Sequence, residues 1–463
     1  MVQLQAGAAG TLAVRRLEDF VFGVAPKPVT CGRGLRIGSG LVIPEINFTL
    51  PPMRIEDATM GEIRRQYQEM IDGICKRAVE LEAPGLLVEF ETLPEMTVRP
   101  AIGLEIVRIL SEALRACNDR HGLPTALRFT PNDTRDHLRP PLMRRGPYMD
   151  GMREAFGKAA EFGADLLAIE STGGKEVCDE ALMMGDLRTV VFALGVLGAR
   201  DMKFLWDEIV SACRRTGIVA SGDTACGFAN TAMVLAEQKM IPRVFATLVR
   251  AATVPRSLVA YECGAVGPSK DCAYEGPYMK AIAGVPIAME GRTSACAHLS
   301  PVGNIAQAVC DAWSNESVQN VRMLSAPAPV VSLEQLTYDC RLLQAAAETK
   351  SGALAMRDWL VSSDAPRDPQ AWVLRPDVVL ALSERIMSVR TPYERTRVAV
   401  RGCLDMLRAA KKRGEVRIPP AEEPWLDRLQ RQVDALPDRE EELVDEMRSG
   451  DAGAKFLPAE YGL

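Results

Sequence analysis

"DLLAIE", residues 165–170, is an apolar run that ends on a carboxylate. The pattern recurs in "GLLVEFE" (85–91), "TALRFT" (125–130), "GIVAS" (217–221), "SLVAYEC" (257–263) and "VPIAME" (285–290). Each run has the length of a strand, and each gives way to a polar or glycine-containing loop and then to a stretch of helical periodicity. The helical stretches are 102–117, 150–162, 201–215 with Asp201 as N-cap, and 230–239 after Asn230. Repeated βα units of this size build either a doubly wound sheet or a (β/α)8 barrel. Six strands are clear and two or three more are not, so the count does not choose between the two.

The polar residues do choose. Glu89 and Glu91, Asp133 and Asp136, Glu170, Asp223 and Cys226, Asp271 and Cys272, and Glu290 all stand at or just after the end of an apolar run. A barrel gathers all its strand ends around one mouth, where active sites sit. A doubly wound sheet concentrates them at one crevice, usually with an early Gly-rich phosphate loop, and neither G-x-G-x-x-G nor G-x-x-x-x-G-K-[ST] occurs. The pattern predicts an α/β fold, a (β/α)8 TIM-type barrel over residues 56–330. Residues 1–55, rich in Gly and Pro, read as an N-terminal extension of short strands and turns, serving as a lid or a dimer contact. Residues 331–463 read as a C-terminal helical segment packing on the barrel, on a second copy or on a partner. A solvated tail is an equal reading after 436. Thr59 and Glu62 have capping-box spacing ahead of a long helix carrying Ile63, Tyr67, Met70, Ile71 and Ile74.

Composition narrows the functional classes. The 463 residues carry 55 Lys+Arg against 61 Asp+Glu, a net charge of −6, which offers no broad electrostatic grip on nucleic acid. The amino-terminal stretch lacks a basic start with a sustained apolar run, and "VVFALGVLGA" (190–199) is too short to span a bilayer. A cytoplasmic protein with no membrane partner is expected. The 12 cysteines include no C-x-x-C pair, which argues against a disulfide scaffold or a zinc ribbon. Cys75, Cys117, Cys213 and Cys403 fall among periodic apolar residues and read as small core residues. Cys226, Cys263, Cys272 and Cys296 fall in glycine-rich or polar loops.

Glu170, Cys226 and Cys272 are separated by 56 and 46 residues, one or two βα units apiece. On a barrel they would meet at the mouth. Two thiolates and a carboxylate supply three ligands for tetrahedral Zn²⁺ and leave the fourth position open, as in a catalytic site. Coincidence of two loop cysteines and a strand-end glutamate is the plain alternative, since ligands so far apart have no local signature. Only three histidines occur, His121, His137 and His298, without H-E-x-x-H or the deaminase pattern. A Cys296–His298 nucleophile pair is disfavoured because alternate residues of one strand rarely converge on a reacting atom.

The stretches "GDTACGFANTAMVLAEQ", "GAVGPSKDCAYEGPYMKAI", "SACAHLSPVGNIAQAVCDAWSNESVQNV" and "AIESTGGKE" resemble the zinc-dependent methanol:corrinoid methyltransferases, and the likeness covers essentially the whole chain. The resemblance implies a (β/α)8 barrel and one catalytic Zn²⁺ per chain. Its ligands would be Glu170 in "AIES", Cys226 in "DTACGF" and Cys272 in "KDCAYEG". It implies a zinc ion acting as Lewis acid on methanol, whose methyl group passes to the Co(I) of a reduced corrinoid. Asp223, Asp271 and Glu89 are candidate acids for the leaving oxygen, and equally candidates for orienting a ligand. Met96, Phe228 and Met289 are candidate pocket residues. No histidine has the D-x-H-x-x-G context of a corrinoid lower ligand, so the corrinoid is expected on a partner protein capping the mouth, around a homodimer within a heterotetramer. Two other classes stay open: a corrinoid-dependent demethylase for another small methyl donor such as a methoxylated compound, and a metal-free barrel whose cysteines serve redox or packing roles.

Overall fold

In the computed structural model, which describes residues 11–48, 54–270, 272–316 and 322–463, a hairpin of β1 (Val24–Cys31) and β2 (Leu35–Ser39) precedes a parallel sheet. The sheet strands are β3 (Ile43–Phe48), β4 (Leu86–Glu91), β5 (Thr125–Thr130), β6 (Leu166–Ile169), β7 (Val219–Asp223), β8 (Ala288–Glu290) and β9 (Ala312–Glu316). Their spatial order is β7-β6-β5-β4-β3-β9-β8, every pair parallel. Residues 266–270 fill the place between β7 and β8. Val266 and Gly267 donate their N–H groups to Ala220 O and Ser221 O, each at 2.9 Å, and Ser269 donates to Pro286 O at 3.1 Å. With this eighth, irregular member the ring closes, and the expected barrel is the observed one.

The eighth member is not where the sequence pattern placed it. "SLVAYEC" (257–263), expected as a strand, is the last two turns of the helix Arg243–Cys263. Residues Val244 to Ala260 of that helix are all buried, between the barrel and the C-terminal helices. A helix buried on every side has no solvent face to set a 3.6-residue alternation, so a short apolar run within it reads like a buried strand. The true barrel segment carries Gly267 and Pro268, which mask any strand signal.

Outer helices include Met60–Glu80, Pro100–His121, Pro147–Lys158, Ala199–Thr216, Gly276–Ala283 and Ala328–Ala347. The last packs on β3 and β9, so the barrel takes in residues beyond 330. Likewise β3 lies within the stretch read as an extension. The β1–β2 hairpin lies against the amino-terminal ends of the barrel strands. There Cys31, Leu35 and Ile37 pack with Ile43, Leu87, Ala126, Leu166, Ala288 and Ala312, and Arg33 N–H donates to Thr125 O at 2.8 Å. The β1–β2 hairpin, rather than the whole stretch, thus closes the end opposite the mouth.

Two expected caps are absent. Thr59 has helical dihedrals, with φ −98° and ψ −12°, and makes no side-chain cap; its Oγ1 instead donates to Arg54 O at 2.6 Å, while Glu62 accepts from Arg65 and Gln66. Asp201 stands inside Ala199–Thr216, because that helix continues from Leu187–Phe192 through the π-helical stretch Ala193–Gly198. Its carboxylate is buried against Arg135 at 2.8 Å. Among the C-terminal helices, Pro392–Lys412 lies along Arg243–Cys263, joined by Arg395 to Glu262 at 2.6 Å. The residues after 436 are docked: Leu443, Val444, Met447, Phe456, Glu460 and Tyr461 are buried. No helix among the described residues is long and apolar enough to cross a membrane.

Candidate metal centre

Inside the ring, period-2 alternation stacks side chains in layers. Ile43, Leu87, Ala126, Leu166, Ala288 and Ala312 form an apolar floor. Above it Glu45 meets Arg128 at 3.0 Å. Glu290, which pairs with Ser314 as Glu45 does, lies at the same level, and nearer the mouth come Asn47 and Glu91, with Glu170 just past the end of β6.

Glu170 follows β6 directly and bridges to Asn132. Cys226 is the first residue of the helix Cys226–Glu237, three positions past β7, rather than a loop residue. Cys272 comes two residues past the irregular segment 266–270. The three ligand atoms all lie within 4.8 Å of one another, with Cys272 Sγ 3.3 Å from Glu170 Oε1. Three residues remote in sequence therefore converge as the strand-end pattern predicts.

The sequence pattern overlooked Lys270. Its Nζ lies 3.0 Å from Glu170 Oε1, 3.3 Å from Glu89 Oε1 and 3.5 Å from Glu91 Oε2, with the side chain 4% exposed. Burial opposes its charge, but the carboxylates of Glu170, Glu89 and Glu91 outweigh it and hold the ammonium well above the ordinary lysine range. Burial likewise opposes the charge of Glu170, and the Lys270 ammonium keeps that carboxyl below its usual range. The thiols go the other way. Burial, then Cys226 and the charges of Glu170 and Glu290, push Cys272 well above the thiol range. At Cys226 the hydrogen bond with Cys272 favours the thiolate, yet burial, Glu170 and Glu290 push it up to about 12. The donors fit a metal: their anionic forms crowd one buried point, and a divalent cation is what would let them ionise together.

A small cavity of about 10 Å³, roughly the room one water needs, adjoins the donors, lined by Glu45, Asn47, Glu89, Lys270, Cys272, Ala288, Glu290 and Ser314. Glu89, a candidate acid, faces it and accepts from Thr130 Oγ1 at 2.5 Å. Asp223 does not line it. Its oxygens accept from Ser171 N–H at 3.2 Å, Ser171 Oγ at 2.7 Å and Trp206 Nε1 at 2.9 Å, with Arg256 at 3.8 Å. Its position at the end of β7 signalled proximity, but its side chain is spent on bracing the turn after Glu170. Asp271 lies outside the described residues. Met96, Phe228 and Met289 are buried in the apolar shell and do not line the cavity; Ala288 and Glu290 point inward, so Met289 between them points outward.

Other residues the sequence pattern did not single out are Glu45 and Asn230. Glu45, pushed up to about 7 by burial against the pull of Arg128, lies on β3, inside the stretch read as an extension. Asn230, one helical turn past Cys226, donates from Nδ2 to Cys226 Sγ at 3.3 Å; the i, i+4 spacing was the available signal. Glu290 faces His298 Nδ1 at 3.5 Å. Burial raises its carboxyl, with His298 opposing. Cys296, exposed on the short helix Arg292–Ala297, does not join the centre.

Residues 8–462 match the family model MtaB, described as methanol-cobalamin methyltransferase B subunit. The methanol–corrinoid protein co-methyltransferase of Methanosarcina barkeri (strain Fusaro / DSM 804) is 36% identical over 458 residues, covering 98% of each chain. A chain in the crystal structure of the methanol:cobalamin methyltransferase complex MtaBC from Methanosarcina barkeri superimposes with a TM-score of 0.93 at 35% identity, over 98% of this chain and 99% of that one. By sequence and by fold, the chain belongs to the MtaB family of methanol-cobalamin methyltransferase B subunits.

Proposed function

We propose that this chain transfers the methyl group of methanol to a corrinoid carried by a partner protein, with one zinc ion held by Glu170, Cys226 and Cys272. The convergence of those three donors within 4.8 Å carries the metal reading. Family membership and the printed activity of the M. barkeri relative support the substrate and the acceptor. Bound by these donors, zinc would supply Lewis acidity to an alcohol oxygen whose negative charge grows as its C–O bond breaks.

The chain's own residues prepare the place for that step. Lys270 fixes Glu170 and offsets the neighbouring carboxylates, so the donor oxygen keeps one orientation. Asn230 restrains the Cys226 sulfur in the same way. Glu290 faces the cavity and is placed to give a proton to the leaving oxygen, since burial favours its protonated form; Glu89, facing the same cavity and paired with Lys270, orients that ammonium. The cavity has room for about one water-sized group, which favours a one-carbon alcohol over a larger methyl donor. The corrinoid comes from outside, since no histidine here has lower-ligand context. That the solved relative is a complex, MtaBC, supports a corrinoid-protein partner at the mouth, and we place a homodimer of this chain at the core of a heterotetramer.

The test is metal content after dialysis against a weak chelator, beside methyl transfer from methanol to Co(I) corrinoid. Wild type should keep about one zinc per chain and turn over. Cys226→Ser and Cys272→Ser should stay folded, lose the metal and lose transfer. A folded, metal-free wild type that does not take zinc back rules the mechanism out.

A further inference from the structure

Behind the donors, a second pair of side chains ties their two loops together. Thr224 stands two residues before Cys226, and Glu275 three residues after Cys272. Each is 1% exposed. Glu275 Oε1 accepts from the Ala225 N–H at 2.7 Å and from Ser257 Oγ at 2.8 Å. Thr224 Oγ1 donates to Glu275 Oε2 at 3.5 Å and accepts from the Ala273 N–H at 3.2 Å. The residue before one thiol and the residue after the other are thus linked through one carboxylate and one hydroxyl.

The backbone between them is held in an unfavourable shape. Tyr274 has φ +65°, a left-handed conformation uncommon for an aromatic residue. Its ring is buried under the Arg250 guanidinium, 5.3 Å from the ring centroid. Such conformations persist where the surroundings over-determine them. Here the strained turn aims Cys272 back toward Cys226, which belongs to a different βα unit. Metal donors tolerate errors of only about 0.2 Å in distance, so two independent loops need a cross-tie to keep their sulfurs in register.

We propose that Thr224 and Glu275 are positioning residues, a clasp that holds the Cys226 and Cys272 loops together as one pair of metal donors. The inference rests on the metal reading above. Its test is titration of the full chain with Co²⁺ and Zn²⁺ against a competing chelator, following thiolate-to-cobalt charge-transfer absorption. The proteins compared are wild type, Thr224→Val, Thr224→Ser and Glu275→Gln. Thr224→Val keeps the side-chain shape but removes the hydroxyl's bonds to Glu275 and Ala273 and its 3.9 Å contact with Cys272 Sγ. It should weaken zinc affinity roughly 10–100-fold, as lost outer-shell partners do, and alter the charge-transfer band. Thr224→Ser should restore both. Glu275→Gln keeps an acceptor for Ala225 and should lose less; it carries the test if Thr224→Val does not fold. Affinity and spectrum equal to wild type in both Thr224→Val and Glu275→Gln overturn the clasp and leave the metal reading standing. A wild type that takes up neither metal overturns both.

Discussion

At Asp223 burial works against charge. Its carboxyl is raised to about 6, foremost by desolvation, with the Arg256 charge and the Ser171 and Trp206 hydrogen bonds pulling the other way. Because the folded value exceeds the unfolded one, the native state binds this proton more tightly. The stability so gained is complete below about pH 4 and is lost as pH rises through about 6, an effect on the order of 3 kcal/mol. Asp223→Asn has no such proton to lose. Urea unfolding of both proteins between pH 4 and pH 7 should therefore show wild type losing ground to the variant as pH rises; a constant difference would mean that the carboxyl does not titrate in that window. Lys270 makes a related point about single residues. Its three carboxylate neighbours come from β4 and from the end of β6, and nothing in "GPSKDC" announces an ion pair with partners 100 or more residues away.

Among elements, the β1–β2 hairpin depends most on one backbone position. Gly32 has φ +50°, and a Cβ there would stand 2.4 Å from Thr125 O and 2.7 Å from the Ala126 Cβ. Both the left-handed conformation and the overlap act against a side chain, so Gly32→Ala should destabilise by roughly 2–4 kcal/mol. Denaturant midpoints measure the loss. Zinc content should be unaffected, because the hairpin closes the end of the barrel opposite the donors. The strand-end carboxylates were legible at this scale: alternation puts residues i, i+2 and i+4 on one face, so Glu89 and Glu290 enter the ring once the strands are assigned, whereas Glu45 lay in a stretch read as an extension. The helix Arg243–Cys263 was not, because it is buried on all sides and only packing separates a buried helix from a buried strand.

For the whole molecule, the chain's last residues hold a turn beside the donors. Phe456 lies between Phe192 and Tyr461, at centroid distances of 5.4 and 6.2 Å. Gly174 N–H donates to Tyr461 Oη at 3.2 Å, and Glu460 accepts from Arg145 at 2.7 Å. Deleting residues 451–463 should remove about 3–6 kcal/mol, the burial of two aromatic side chains. Thermal unfolding would show it, and an unchanged midpoint would mean that the tail is not docked in solution. The sequence by itself determined the alternation of strand and helix, the strand-end placement of the polar residues, and hence a barrel mouth holding Glu170, Cys226 and Cys272, because period-2 and period-3.6 patterns are local properties of the chain. Tertiary structure alone decided which segment closes the ring, that Asp223 is engaged away from the cavity, and that Lys270, Thr224 and Glu275 brace the donors. Those assignments depend on which remote side chains share a buried volume, and no local pattern encodes that.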